Sequence, residues 1–184
     1  YICKPLTVVL ITLTAVWAAP LDLVYQRIIL VGLVFSLLGD VFLMLPEDRF
    51  LFGLGAFLLA QITYSAAFAV GGGGLTWWPL IPLLVYGLVI YRLLAPGLKS
   101  IRLPVIVYML AILIMAWLAW SRYFWMVEKH ALLAAAGASL FLVSDSSLAL
   151  DRFRALPAAA HAVTLGTYYT AQWLIAASVS GWLV

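Results

Sequence analysis

The chain has 184 residues, of which 67% are hydrophobic and 9% charged, against roughly 45–50% apolar and about 25% charged in an ordinary soluble domain. That composition excludes a water-soluble fold and leaves an integral membrane protein, a single transmembrane helical domain over residues 1–184 with no length left for a soluble second domain. The formal charge of +3 comes from basic residues scattered among apolar runs, a topology signal that argues against nucleic acid as a partner.

Cutting the chain at charges, Pro and Gly predicts seven helices, over residues 5–19, 27–45, 50–70, 77–93, 102–120, 130–150 and 158–180. The chain opens at Tyr1 without a charged segment leading into a cleavable apolar region, so no signal peptide is expected. Cys3, the only cysteine, excludes an internal disulfide and is expected to be inert. The second helix carries an aspartate, Asp40, inside "FSLLGDVFLML". The third sets Gln61, Tyr64 and Phe68 on one face at i, i+3 and i+7. Gly71 to Gly74 read as a flexible turn before the fourth. The sixth repeats the intramembrane acid as Asp145 in "LFLVSDSSLAL", and the seventh sets His161, Leu165, Tyr168 and Gln172 on one face. Short connections favour sequential antiparallel packing. The fold class is all-α, a polytopic transmembrane helix bundle.

On this map Lys4, Arg49, Arg92, Lys99, Arg102, Arg152 and Arg154 fall on one side, Arg27, Arg122 and Lys129 on the other. The positive-inside rule makes the first side cytoplasmic. Trp17, Trp77, Trp78, Trp120, Trp125 and Trp182 lie near the opposite helix ends, as an aromatic belt would.

A mid-helix aspartate costs roughly 2.5–3.5 kcal/mol on the insertion scale, so each intramembrane acid is a functional-site hypothesis. Asp40 and Asp145 each precede by five residues the leucine that closes their segment, Leu45 and Leu150. With a rise of about 1.5 Å per residue, both carboxylates are expected about 7–8 Å inside the cytoplasmic end. The correspondence continues: Tyr64 follows Asp40 at the separation at which Tyr169 follows Asp145, and Arg49 and Arg154 also match. This predicts an approximate internal repeat of helix pairs. Paired units entering the membrane in the same direction make it a parallel repeat, a class that places sites at the interface between its halves.

The polar faces of the third and seventh helices either complete a cavity with the acids or bond across helices as packing glue. Ser36, Ser144, Ser146 and Ser147 read as backbone-bonded or packing residues, with no histidine spaced to activate them. With only His130 and His161, a three-histidine zinc site cannot be assembled, and no metal or cofactor is expected. Two close acids in low dielectric resist being ionised together, which leaves a protonated acid beside a carboxylate. Such a pair suits bonds that break through an oxocarbenium-like cation after protonation. Arg49, Arg152, Arg154 and Lys99 either meet a lipid phosphate or only mark topology.

At these residues the sequence resembles the YhhN-type lysoplasmalogenase family, through "KPL" at Lys4 to Leu6, "GLVFSLLGDVFLML" at Gly32 to Leu45, "FLFGLGAFLLAQITY" at Phe50 to Tyr64, "GASLFLVSDSSLAL" at Gly137 to Leu150 and "TYYTAQWLIA" at Thr167 to Ala176. The resemblance implies a multi-helix membrane enzyme that hydrolyses the vinyl ether of lysoplasmalogens, releasing a fatty aldehyde and glycerophosphoethanolamine or glycerophosphocholine. It puts Asp40 and Asp145 in the place of the family's catalytic acids, and Tyr64, Tyr168, Tyr169 and Gln172 in its polar positions. Together with Gln61 and His161 these are the expected substrate-binding residues. Two features differ from the family pattern: Gln61 stands where His is common, and a helix usually precedes the "KP" motif, which implies an eighth helix upstream. The expected partners are a lysophospholipid substrate and the bilayer, in a bacterial inner membrane. In the expected mechanism Asp145 protonates the vinyl carbon and Asp40 activates water, although the residues allow the reverse assignment. The same acids and repeat also fit a proton-coupled small-solute transporter, and helix count alone suggests a sensor.

Overall fold

The computed structural model describes residues 3–45, 49–71, 73–98, 101–154 and 158–180, without the side chains of Cys3 and residues 158–160. The expectations for Lys99, Trp182 and the Cys3 thiol therefore lie outside the described residues. Seven α-helices are found among them: α1 (Cys3–Trp17), α2 (Leu23–Met44), α3 (Phe50–Ala69), α4 (Leu80–Leu94), α5 (Arg102–Met126), α6 (Lys129–Arg154) and α7 (Ala158–Ala177), with a 3₁₀ turn at Ala95–Gly97 after α4. No strand forms among the described residues. Five helices, α2 to α6, are long and apolar enough to cross a membrane, the span at α4 running through the 3₁₀ turn; α1 is a shorter apolar helix.

The elements follow the apolar pattern to within about three residues except at three ends, which fall further away because charges do not break these helices. α2 starts four residues before the predicted 27 because Asp22 caps it, Oδ1 accepting from the Val24 and Tyr25 amides at 2.7 and 3.1 Å. Arg27 then lies inside the helix with its side chain exposed. α5 runs past the predicted 120 to Met126 because Arg122 folds inward, its guanidinium 4.6 Å from the centre of the Tyr25 ring and donating to the Val70 carbonyl. α6 continues to Arg154, where the guanidinium donates from Nε and Nη2 to the Leu93 carbonyl at 2.9 and 2.7 Å. Helix ends therefore do not report equal depths for the two acids: Asp40 is four residues from the end of α2, Asp145 nine from the end of α6.

Packing is pairwise. α2 lies along α3 and α6 along α7, the two most extensive contacts in the bundle. Within each pair a glycine admits the neighbouring helix. A Cβ on Gly32 would sit 2.3 Å from the Tyr64 ring, and one on Gly137 would sit 2.9 Å from the Ala171 carbonyl oxygen. Those glycines occupy the same place in the two halves, eight residues before Asp40 and Asp145. α1 closes one flank by packing on α2 and α7, and the chain after it is tied back to the end of α7 by Leu21 N donating to Val179 O at 3.1 Å.

Sequential packing fails at α4. α3 packs on α5, while α4 lies against α5 and α6. The connection from Val70 to Pro79 is the longest between described helices and contains Gly71 at φ +91°, so α4 is free to dock away from α3. The gap between α3 and α4, floored by α5 and α6, becomes a groove. Trp17, Trp77, Trp78 and Trp125 are exposed as a belt requires. Trp120 is not, because it stacks on Phe124 and its Nε1 donates to Ser139 Oγ at 3.0 Å.

Candidate active site

The groove holds about 690 Å³ of empty space, counting its open mouth. Phe50, Leu54 and Phe57 of α3 form one wall, and Tyr86, Gly87, Ile90 and Leu94 of α4 form the other. Val105, Tyr108, Ile112 and Leu113 of α5 and Leu142, Asp145, Ala149 and Phe153 of α6 complete it. The lining is almost wholly aliphatic and aromatic, so it gives a hydrated solute little to bind, whereas an alkyl chain is matched along its length. Asp145 is the carboxylate in this apolar wall.

Asp145 is partly exposed toward the groove. Its Oδ2 accepts two hydrogen bonds, one from the Tyr108 hydroxyl of α5 and one from Gln61 Nε2 of α3 at 3.3 Å. Oδ1 accepts none among the described residues. Asp40 also accepts from a tyrosine but differs in its exposure. It is 2% exposed, its Oδ2 accepts from the Tyr168 hydroxyl of α7 at 2.8 Å, and it does not line the groove. Lys4 of α1 is within electrostatic reach of it. Phe57 links their surroundings: its ring lines the groove and meets Tyr168 edge-on at 5.9 Å.

Each acid is thus held by the second helix of the other pair, Asp40 in α2 by α7 and Asp145 in α6 by α3. An interface between repeated halves has this property. A second polar group lies beside them, where the Tyr64 hydroxyl donates to Gln172 Oε1 at 2.8 Å and lies 3.4 Å from Ser36 Oγ. Gln61 Oε1 and Gln172 Nε2 are buried and find no hydrogen-bond partner among the described residues.

Of the residues expected from sequence, Asp40, Asp145, Gln61, Tyr64, Tyr168 and Gln172 are brought together, with Tyr169 at the edge, its ring 5.6 Å from that of Tyr168. His161 is not. It is exposed on the first turns of α7, about 10 Å along the helix from Tyr168 at the usual rise. The shared face was correctly drawn, but it leaves the bundle before it reaches His161. Ser144 and Ser146 are backbone-bonded as expected, donating to Thr164 O at 2.9 Å and Leu142 O at 2.8 Å. Tyr108 escaped sequence reasoning. Its signal was the spacing Val105, Tyr108, Ile112, one helical face with a hydroxyl in it. At the end of the groove Arg152 lies 5.3 Å from the centre of the Phe50 ring.

The sequence profile of the YhhN family, described as "YhhN family", matches residues 1–179. The chain belongs to the YhhN family. It is 33% identical over 180 residues to the "Uncharacterized membrane protein YhhN" of Escherichia coli O6:H1, covering 97% of this chain and 86% of that one. It is also 36% identical over 157 residues to "Lysoplasmalogenase TMEM86A" of Bos taurus, covering 82% of this chain and 64% of that protein. Human "Lysoplasmalogenase TMEM86B" is 34% identical over 164 residues, covering 84% and 64%. This YhhN-family chain therefore spans less than two thirds of the length of its lysoplasmalogenase-named relatives. No solved structure matches it.

Proposed function

We propose that this membrane protein is a lysoplasmalogenase, hydrolysing the vinyl ether of a lysoplasmalogen to a fatty aldehyde and a glycerophospho-ethanolamine or -choline. The observation that carries the reading is a carboxyl group set in the wall of an alkyl-sized apolar groove, in a chain similar to proteins of that name. The substrate chain lies in the groove with its vinyl ether at Asp145. Protonated Asp145 donates its proton to the vinyl carbon that is not bonded to the ether oxygen and becomes a carboxylate, while the ether oxygen shares the positive charge of the oxocarbenium ion left on its neighbouring carbon. In this reading the carboxylate that Asp145 becomes stabilises that cation, and the field of Asp40 adds to it. Water adds to the cationic carbon, and its proton returns to Asp145. The resulting hemiacetal collapses to aldehyde and alcohol.

Two parts of the sequence-based mechanism change in this reading. Asp145 serves as acid and then as base, because it is the acid in the groove. Asp40, walled off beside Tyr168, acts through its field and does not activate water. In this reading the end of the groove beside Arg152 and Phe50 faces the phosphate and lies in the cytoplasmic leaflet by the positive-inside rule, the membrane being a bacterial inner one.

The test is aldehyde release from defined lysoplasmalogens by the purified full chain in lipid nanodiscs. Release that is absent from an equally folded Asp145→Asn variant is expected. No release across both head groups would reject the reading. If uptake driven by a pH gradient into proteoliposomes then depended on Asp145, the transporter would replace it.

A further inference from the structure

Resting on that reading, the hydrogen-bond pattern around Asp145 says more about how the acid is aimed. Tyr108 and Gln61 approach the same oxygen, Oδ2, from two different helices. An ionised carboxylate has about four acceptor positions over its two oxygens, and two donors on one oxygen fill that oxygen's share. The donors cannot easily withdraw. Gln61 is fully buried and Tyr108 nearly so, and Gln61 reaches Asp145 through Nε2, a group that only donates. A proton added to Oδ2 would point at one of them. Oδ1 meets no donor among the described residues and belongs to the side chain that lines the groove.

We infer that Tyr108 and Gln61 are positioning residues that decide which oxygen of Asp145 carries the catalytic proton, keeping Oδ2 as the carbonyl acceptor and putting the proton on Oδ1, toward the substrate. Neither residue exchanges a proton with the substrate. After proton transfer the same two donors stabilise the carboxylate that has formed, so they serve the step in both directions. The arrangement also gives Gln61 a use that needs no titratable group.

The experiment is infrared spectroscopy of the full chain in nanodiscs at acidic pH, with the Asp145 carbonyl band isolated as the parent spectrum minus that of Asp145→Asn. With Oδ2 as the carbonyl oxygen and two donors on it, Tyr108→Phe moves the band to higher wavenumber, and Gln61→Leu moves it the same way. Tyr91→Phe, outside the groove, leaves it in place. In the aldehyde assay Tyr108→Phe lowers kcat roughly 10–100-fold, the worth of one hydrogen bond to a charged group, with KM changed by less than about twofold. A band that does not move in either variant would put the proton on Oδ2 and overturn the proposal, as would an unchanged kcat in both. Should Tyr108→Phe fail to fold, Gln61→Leu alone decides. The band is recorded without substrate, so it still locates the proton if the parent releases no aldehyde and the hydrolase reading falls.

Discussion

Asp40 and Asp145 stand in closely similar local sequence, yet one carboxylate is enclosed with Tyr168 while the other looks into the groove beside Tyr108 and Gln61. The difference comes from what lies outside each pair of helices. α1 and α7 pack on α2, and the Tyr168 hydroxyl of α7 donates to Asp40. α4 docks on α5 and α6 away from α3, and so leaves Asp145 facing the gap. The duplicated unit supplies two acids, and the unduplicated helices α1, α4 and α5 make them unequal. Intramembrane acids are costly, and a protein retains them where each has a partner or a use.

That contrast can be broken most directly at the acids. Asp145→Asn should lower aldehyde release by about 10³-fold or more, the usual worth of a general acid that has no substitute, measured by aldehyde trapping on protein shown to be folded by thermal unfolding. Asp40→Asn should cost much less, about 10-fold in kcat with KM nearly unchanged, since it removes a field and leaves the groove intact. Equal losses in the two variants would erase the distinction. The groove itself is probed by Gly87→Leu. A Cβ at this position already falls 2.6 Å from Leu113 Cδ1, so a full side chain intrudes on the groove and should raise KM about 10-fold for long-chain substrates, by the loss of about two buried methylenes. The smallest effect is expected from Tyr64→Phe. It removes the bond to Gln172 and should lower unfolding stability by about 1 kcal/mol, read from denaturant or thermal midpoints, with activity reduced only modestly.

Much of this was legible in the sequence because helical period places residues on faces. Gln61, Tyr64 and Phe68 do share a buried face, and Tyr168 and Gln172 share another. The matched acids pointed to helix pairs, and within those pairs Gly32 makes room for the Tyr64 ring and Gly137 for the backbone at Ala171. What period cannot supply is the neighbour across a face. Tyr108 lies in an apolar run and reads as core until α6 brings Asp145 against it. The displacement of α4 depends on a long connection whose path no local pattern encodes, and it creates the groove. Charges misled where they fold inward, as at Arg122, or point out from a continuing helix, as at Arg27. The inequality of the acids was hidden for the same reason, since both stand in similar apolar runs along the chain and have different neighbours across it.

The measurement closest to the centre of this account is labelling with dicyclohexylcarbodiimide, an apolar reagent that attacks protonated carboxyl groups reached through lipid, on the full chain in nanodiscs with adducts mapped by peptide mass spectrometry. The account predicts an adduct on the peptide holding Asp145, none on the peptide holding Asp40, and loss of aldehyde release in step with the label. Labelling of Asp40 to the same extent, or of Asp40 alone, would contradict it.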